Sequence, residues 1–304
     1  MATNQIGAAS IVRDSSDRLA AGGTRSLWRD SFHRLIRNPA GLAGLVILIV
    51  LPALSILAPL IAPYDPIDQS PLDALHGPTT DHWFGTDQFG RDIFSRLLYG
   101  GRYSLPVGII SVGIAAVIGI PLGLIAGYYR GWAESWIMRV MDILLAFPGI
   151  LLSLTAISIL GPGLNNVMIA VGLSSIPSYA RLVRSSTLQL RSLAYVEAAR
   201  ASGAADRRII AFHILPNVLA PLIVLASLGV GTSLLAASGL SFLGLGAQPP
   251  SPEWGAMLST GRNYIELAWW ITTFPGILIV LAVLAANLLG DALRDALDPR
   301  MRRR

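Results

Sequence analysis

Long stretches without any charged side chain are the feature that most restricts the fold of this chain. Residues 40–62, 103–129 and 143–180 contain no Asp, Glu, Lys or Arg. A helix needs about 20 apolar residues to cross the hydrocarbon core of a bilayer, so each stretch can provide at least one crossing. The composition agrees, because 53% of the residues are hydrophobic and only 13% are charged. The sequence therefore predicts a protein embedded in a lipid bilayer.

The apolar stretches divide into six expected crossings. The stretch 143–180 is too long for one crossing, and Gly161-Pro162-Gly163 is a turn signal near its middle. Lipid offers no hydrogen bonds to the backbone, and apolar runs of this length favour helices as the spanning element. We therefore predict an all-α polytopic membrane protein. Its six expected spans are residues 40–62, 103–129, 140–160, 164–183, 214–238 and 267–290.

The distribution of arginine predicts the orientation of these spans. If the N-terminus lies in the cytoplasm, only Arg91, Arg96, Arg102 and Arg262 fall on the outer side, and all other arginines fall on the inner side. Cytoplasmic loops of membrane proteins carry an excess of basic residues. We therefore expect both termini in the cytoplasm and the polar loop 63–101 outside the membrane.

This topology divides the chain into five segments. Asp92 to Tyr99 is expected to form a short amphipathic helix within the outer loop. Gly119, Gly123 and Gly127 recur at every fourth position of the second span, which allows close approach of two helix backbones, although glycine is also common in membrane helices generally. The segments are a cytoplasmic N-terminal arm (1–39), the first transmembrane helix (40–62), the outer loop (63–101), a core of five spans (102–293) and a basic cytoplasmic tail (294–304).

Missing residue types exclude several functions. The chain has no cysteine, which excludes disulfides, thiol chemistry and Cys-ligated metals. It also has no lysine, so it lacks the lysine of a phosphate-binding loop and is not expected to hydrolyse ATP by itself. The net charge of +5 could indicate nucleic-acid binding. Because the arginines lie beside apolar spans, membrane orientation explains them better, and no nucleic-acid partner is expected.

A membrane enzyme, such as an intramembrane protease, is the first alternative class. His33, His76, His82 and His213 all lie in loops or at the edges of spans, so none is placed to act as a base for a serine nucleophile at membrane depth. The sequence has no HExxH motif and no pair of carboxylates within the spans. We therefore expect no catalytic residues and no metal-binding residues.

Two polar features beside the spans have competing interpretations. Asp142 is expected to pair with Arg139 at the inner interface rather than to serve as a functional membrane carboxylate. Asn165, Asn166 and Gln248 lie in outer turns, where they either line an outer mouth or satisfy the backbone of the turns.

The most informative polar interval is Arg181 to Asn217. Its middle is rich in alanine and other small residues, which favours a short helix with a smooth face. Gly203 is expected to end this helix, and Asp206 to cap a second short helix that ends before Pro216. A helix–turn–helix with such a face suits insertion into a cleft on another protein.

Several blocks of sequence then resemble one family. Glu197-Ala198-Ala199, followed by Gly203 and by Leu215-Pro216, resembles the cytoplasmic coupling motif of bacterial ABC importer permeases. His213 stands where that family usually has an aliphatic residue. Four further blocks are similar to the second permease subunit of dipeptide, oligopeptide and nickel importers, and in places to glutathione-type members. They read HWFGTDQFGRDIFSRLLYG at 82–100, AGYYRGWAESWIMRVMDILLAFPGILL at 126–152, SGLSFLGLGAQPPSPEWGAML at 238–258 and LLGDALRDALDPR at 288–300.

The resemblance, which covers about residues 28 to 300, implies a type I ABC importer permease in the bacterial inner membrane. Such a subunit pairs with a homologous permease as a heterodimer, and an extracytoplasmic binding protein delivers the substrate. Two separate ATPase subunits bind the ATP, so the chain itself needs no cofactor. The resemblance places the ATPase contact in the EAA coupling loop at 187–213. The contact residues that it implies are Glu197, Ala198, Ala199, Arg200, Gly203 and Pro216.

The substrate follows less directly from the sequence. The best-matching blocks are peptide-type, so short peptides are the leading expectation, with glutathione as a further possibility. A nickel or nickel-chelate importer is the alternative within the family, and a channel is an alternative from another class. The residues that line the substrate pathway are not identified by any motif.

Overall fold

The computed structural model describes residues 37–297, and every regular element in that range is a helix apart from one isolated bridge between Thr86 and Asp92. Most of the expected N-terminal arm (1–39) and basic tail (294–304) lies outside the described residues. The helices are α1 (Pro39–Ile56), α2 (Ala58–Ile61), α3 (Ile93–Tyr129), α4 (Gly131–Leu145), α5 (Gly149–Leu160), α6 (Leu164–Arg191), α7 (Ala194–Ala201), α8 (Asp206–Ile209), α9 (Leu215–Phe242), α10 (Trp254–Gly261) and α11 (Trp270–Leu297).

The helices confirm the all-α polytopic membrane fold. Within residues 37–297, four continuous helical segments are long and apolar enough to cross a membrane, namely α1, α3, the run Asp206–Phe242 and α11. Helices α4 and α5 together pass the same test but meet at an angle of 92°, a geometry that fits either a broken fifth crossing or a re-entrant segment. Helix α6 has 28 residues and is long enough to span, although it is more polar than the others. It does not pass the same test, so the described residues give up to five crossings by length and composition, and the sixth, through α6, stays a prediction.

The bend between α4 and α5 replaces the straight span expected at 140–160. Helix α4 ends at Leu145, and Pro148 occupies the position before α5 with an extended ψ of 132°. Proline lacks a backbone N–H, and it disfavours helical geometry in the residue before it. The chain therefore changes direction here instead of continuing.

The amphipathic helix expected at 92–99 is not separate, because it forms the first turns of the 37-residue helix α3. Asp92 caps this helix by accepting a hydrogen bond from the Ser95 backbone N–H at 2.7 Å. The helix continues through Gly100 and Gly101, where other segments pack against its backbone. A Cβ on Gly100 would lie 2.2 Å from the Pro252 carbonyl oxygen, so glycine here allows close packing rather than a break.

The glycine repeat of α3 lies against α6, as the spacing predicts. A Cβ on Gly119 would lie 2.7 Å from the Cβ of Tyr179, and one on Gly123 would lie 2.5 Å from the Ala180 carbonyl oxygen. A Cβ on Gly127 would lie 2.6 Å from the Cβ of Thr187. The two backbones therefore approach closely over two turns, and this seam is a tightly packed part of the bundle.

The bundle has two structurally different ends. We call the end formed by residues 192–205 the EAA end, and the end formed by residues 63–92 and 243–253 the loop end. At the loop end, Arg91 donates to the Asp87 carboxylate at 2.6 Å, and both side chains are buried. The Trp270 indole nitrogen donates to the Thr86 carbonyl oxygen at 3.0 Å. The Arg96 guanidinium of α3 lies 3.7 Å from the same Asp87 carboxylate, so these contacts together fix the polar loop onto α3 and α11.

Candidate functional site

Helix α7, which carries the Glu-Ala-Ala triplet, contains one fully buried side chain that attaches it to the bundle. Val196 is fully buried and belongs to a cluster that includes Ile209 and Ile214. Glu197 and Arg200 of the same helix are exposed. The short helix is therefore anchored along one edge and presents its remaining surface to the surroundings.

Gly203 ends α7, as expected. Its φ of +81° lies in the left-handed region that glycine adopts without a steric penalty. The N–H of Ala204 donates to the Ala199 carbonyl oxygen at 3.1 Å, which is the pattern of a glycine-terminated helix. A Cβ on Gly203 would meet nothing within 4 Å, so the turn stands open to the surroundings.

The capping role expected for Asp206 is wrong. Asp206 is the first residue of α8, and the position before it, Ala205, makes no side-chain cap. The Asp206 carboxylate instead accepts a hydrogen bond from the Tyr128 hydroxyl at 2.6 Å. The side chain is used to bind the polar interval to the end of α3 rather than to start a helix.

Tyr128 is the residue of this site that the sequence analysis missed. Besides its bond to Asp206, its ring lies 5.5 Å from the Arg200 guanidinium carbon, and its carbonyl oxygen accepts from Arg191 at 2.7 Å. It therefore connects α3 to α7, α8 and the end of α6. Its only sequence signal was an aromatic pair at the end of an apolar run, which is equally typical of a membrane interface.

The second short helix does not end before Pro216. A π-helical segment, Ile210–Ile214, joins α8 to α9, and the helical run continues to Phe242. Pro216 lies in the first turn of α9, where a missing N–H is best tolerated. The ring of His213 lies 6.4 Å from that of Tyr195, so this position packs α7 onto the start of the spanning helix.

Four of the expected contact residues are exposed on α7 and on the turn that follows it. We call Glu197, Ala198, Arg200 and Gly203 together the α7 surface. Ala199 is half-buried and packs against the cluster around Val196. Pro216 belongs to a spanning helix instead.

A second polar cluster lies between α4 and α6. Arg181 donates to the Asp142 carboxylate at 2.6 Å, and Arg184 pairs with Glu134. The expected pairing of Asp142 with Arg139 is therefore wrong, because Arg181 reaches it from the neighbouring helix. The pairs border an open groove with a volume of about 700 Å³.

The side-chain amides of Asn166 and Gln248 donate hydrogen bonds to backbone carbonyl oxygens of nearby turns. The Asn166 side chain donates to the carbonyl oxygens of Leu160 and Gly161 at 2.9 and 3.0 Å, and the Gln248 side chain donates to that of Gly246 at 3.0 Å. Asn165 borders a separate groove of about 510 Å³ that also includes Gln248 and Ser251.

Two parts of the chain match known families. Residues 119–303 match the family described as the inner membrane component of binding-protein-dependent transport systems, and residues 26–78 match the N-terminal transmembrane domain of oligopeptide transport permease C. The first match contains both the α7 surface and the groove beside α6.

The chain belongs to the binding-protein-dependent permease family.

Individual permeases of this family align along almost their full length. The chain is 50% identical to a dipeptide transport system permease of Alkalihalophilus pseudofirmus over 277 residues, which is 91% of each chain. It is 47% identical to a glutathione transport system permease of Pectobacterium atrosepticum over 293 residues, covering 96% of this chain and 95% of the relative.

A solved permease has the same fold. A chain of the MetNI methionine ABC transporter, in an inward-facing conformation, aligns with 67% of this chain and 96% of its own length at a TM-score of 0.55. The sequences are 22% identical, so this similarity concerns the fold alone.

Proposed function

We propose that this permease is one subunit of an ATP-driven importer and forms half of the pathway for short peptides, including dipeptides, oligopeptides and glutathione. The observation that carries the proposal is the alignment at 47–50% identity, over more than nine-tenths of each chain, with permeases for dipeptides and for glutathione. Transport occurs by alternating access, in which the helical bundle changes between two packings.

The α7 surface is the proposed contact with a separate ATPase subunit. Glu197 and Arg200 supply charges of opposite sign, while Ala198 and Gly203 allow close approach to a groove. Movement of α7 is transmitted to α3 through Tyr128 and to α9 through the buried Val196. This arrangement lets closure of an ATPase move the spanning helices without any nucleotide chemistry in this chain.

The proposed assembly contains the same partners that the sequence resemblance implies. A homologous permease completes the pathway as a heterodimer, two ATPase subunits bind the ATP, and an extracytoplasmic binding protein delivers the peptide. The absence of lysine supports the assignment of ATP to the partner subunits, because a phosphate-binding loop requires that residue. The arginine distribution supports a bacterial inner-membrane location with the EAA end and both termini in the cytoplasm.

Uptake competition tests the substrate class. In a strain that lacks this permease, the restored chain is expected to support uptake of a labelled dipeptide that unlabelled dipeptides or glutathione inhibit. Competition by nickel without competition by peptides would contradict the proposal and favour the metal-importing branch of the family. The cell that lacks the chain, carrying an empty vector, is the control.

A further inference from the structure

Helix α6 carries a polar face, most of which precedes the EAA coupling loop at 187–213. Ser178, Arg181, Ser185 and Gln189 are all exposed. At 3.6 residues per turn they fall within an arc of about 80° around the helix axis. We call these four residues the α6 stripe.

The opposite face of α6 is apolar and packed. Tyr179, Ala180 and Val183 are buried, and they lie on the side that meets the glycines of α3. The α6 stripe therefore points away from the tightest seam of the bundle. Its four polar residues thus share one face of the helix instead of being distributed around it.

Crossing of the membrane by α6, the expected fourth span, would place the α6 stripe partly at membrane depth. With a rise of 1.5 Å per residue, Ser178 lies about 21 Å and Arg181 about 26 Å from the loop end of α6, within the roughly 30 Å of a hydrocarbon core. Charged and polar side chains at this depth are costly in lipid and almost always face protein or a water-filled cavity. Lipid contact is therefore a poor account of this face.

The surroundings of the α6 stripe favour water over a dry protein contact. Arg181 and Asp142 form an ion pair whose side chains are 51% and 58% exposed, and Ser185 hydrogen-bonds its own helix through the Leu182 carbonyl oxygen. The groove beside them, about 700 Å³, is in the range that holds small organic ligands. An exposed ion pair contributes little net stability, so its members can exchange partners readily.

We propose that the α6 stripe and the Asp142–Arg181 pair line the water-filled half of the substrate pathway next to the EAA end, and that they accept small zwitterions. The carboxylate of Asp142 would bind the ammonium group of the substrate, and the guanidinium of Arg181 would bind its carboxylate. This inference rests on the proposed function for the chemical class of its ligand.

Single cysteines test the aqueous exposure of the stripe, because the chain has no cysteine of its own. The variants are Ser178→Cys and Ser185→Cys. The matched control is Leu173→Cys, which lies on the same helix, about 140° around its axis from Ser178, and replaces an apolar side chain that is 37% exposed. Each variant is assembled with its partner subunits in lipid nanodiscs, so that both membrane faces are accessible.

The reagent is methanethiosulfonate ethylsulfonate, which is charged and reacts with thiolates in water. Modification is measured by the loss of sites for a maleimide mass tag. We expect the two stripe cysteines to react at least tenfold faster than Leu173→Cys. Unreactive stripe cysteines, or equal rates at all three positions, would overturn the proposed pathway.

Protection tests the ligand class in the same samples. Alanyl-alanine is expected to slow modification of Ser178→Cys, whereas its N-acetylated amide, which has neither charge, should not. Equal effects of both compounds, or no effect of either, would overturn the zwitterion assignment. Labelling requires no transport, so failure of the uptake experiment would count against the proposed function without affecting the labelling result.

Discussion

The two ends of the bundle use charged side chains in opposite ways. At the loop end and the adjoining first turn of α3, Asp87, Arg91 and Arg96 are at most 4% exposed, and both arginines pair with the Asp87 carboxylate. At the EAA end, Glu197 and Arg200 are exposed. The charges of the loop end hold a polar segment in place, whereas those of the EAA end stay at the surface of the protein.

The two ends also differ in the contacts that hold them to the bundle. The loop end is fixed by contacts that join residues far apart in the chain, such as the hydrogen bond from Arg96 to the Pro66 carbonyl oxygen at 2.7 Å. Helix α7 is held by the buried Val196 and by the contacts of Tyr128. A short helix such as α7, which few contacts attach to the bundle, is suited to transmit a movement to the spanning helices.

Substitution of Asp87 should disrupt the packing of the loop end, and it is expected to have the largest effect on stability. The variant Asp87→Ala leaves Arg91 and Arg96 buried without their carboxylate. Loss of one partner of a buried pair costs about 3–5 kcal/mol. We expect a large fall in the thermal stability of the purified protein in detergent. Asp68→Ala, at an exposed position of the same loop, is the control and should leave the stability unchanged.

Disturbing the seam between the two ends should have an intermediate effect. A Cβ on Gly123 would lie 2.5 Å from the Ala180 carbonyl oxygen, whereas one on Gly113 of the same helix would meet nothing within 4 Å. Gly123→Ala should therefore destabilise the protein by about 1–3 kcal/mol, as overpacking generally does. Gly113→Ala should be neutral or slightly stabilising in the same melting experiment. Equal melting temperatures for the two variants would contradict the close α3–α6 packing.

Loss of the hydrogen bond between Tyr128 and Asp206 at the EAA end should have the smallest energetic effect of the three substitutions. Tyr128→Phe removes the hydroxyl that donates to Asp206 but keeps the ring beneath Arg200. A single hydrogen bond contributes about 0.5–1.5 kcal/mol, so we expect peptide uptake per ATP hydrolysed to fall roughly two- to tenfold. Tyr129→Phe, at a neighbouring tyrosine that is 52% exposed, is the control and should couple normally.

The sequence predicts the spanning helices better than it predicts the side-chain contacts between them. Charge-free stretches identify the spanning helices because the bilayer requires apolar side chains over a fixed length. The repeat ending at Gly127 predicts a close helix contact for a similarly local reason. These inferences depend on spacing within one segment, which a single sequence displays directly.

The remaining features depend on contacts between distant segments. Asp142 has Arg139 one turn away on its own helix, yet it pairs with Arg181 of α6. Asp206 could cap its own helix, yet it binds Tyr128. In each case a local partner and a distant partner are both chemically suitable, and only the packing of the helices decides between them. Sequence patterns favour the local partner and are therefore wrong at these positions.

The most direct test of the account compares Glu197→Lys with Glu266→Lys in proteoliposomes that contain the complete transporter. Both substitutions reverse an exposed charge, the first on the α7 surface and the second at a position in the turn before α11. ATP hydrolysis and peptide uptake are measured in the same vesicles. We predict that Glu197→Lys reduces uptake per ATP hydrolysed at least tenfold while Glu266→Lys has no effect. Normal coupling in Glu197→Lys would contradict the proposal that α7 transmits the movement of the ATPase.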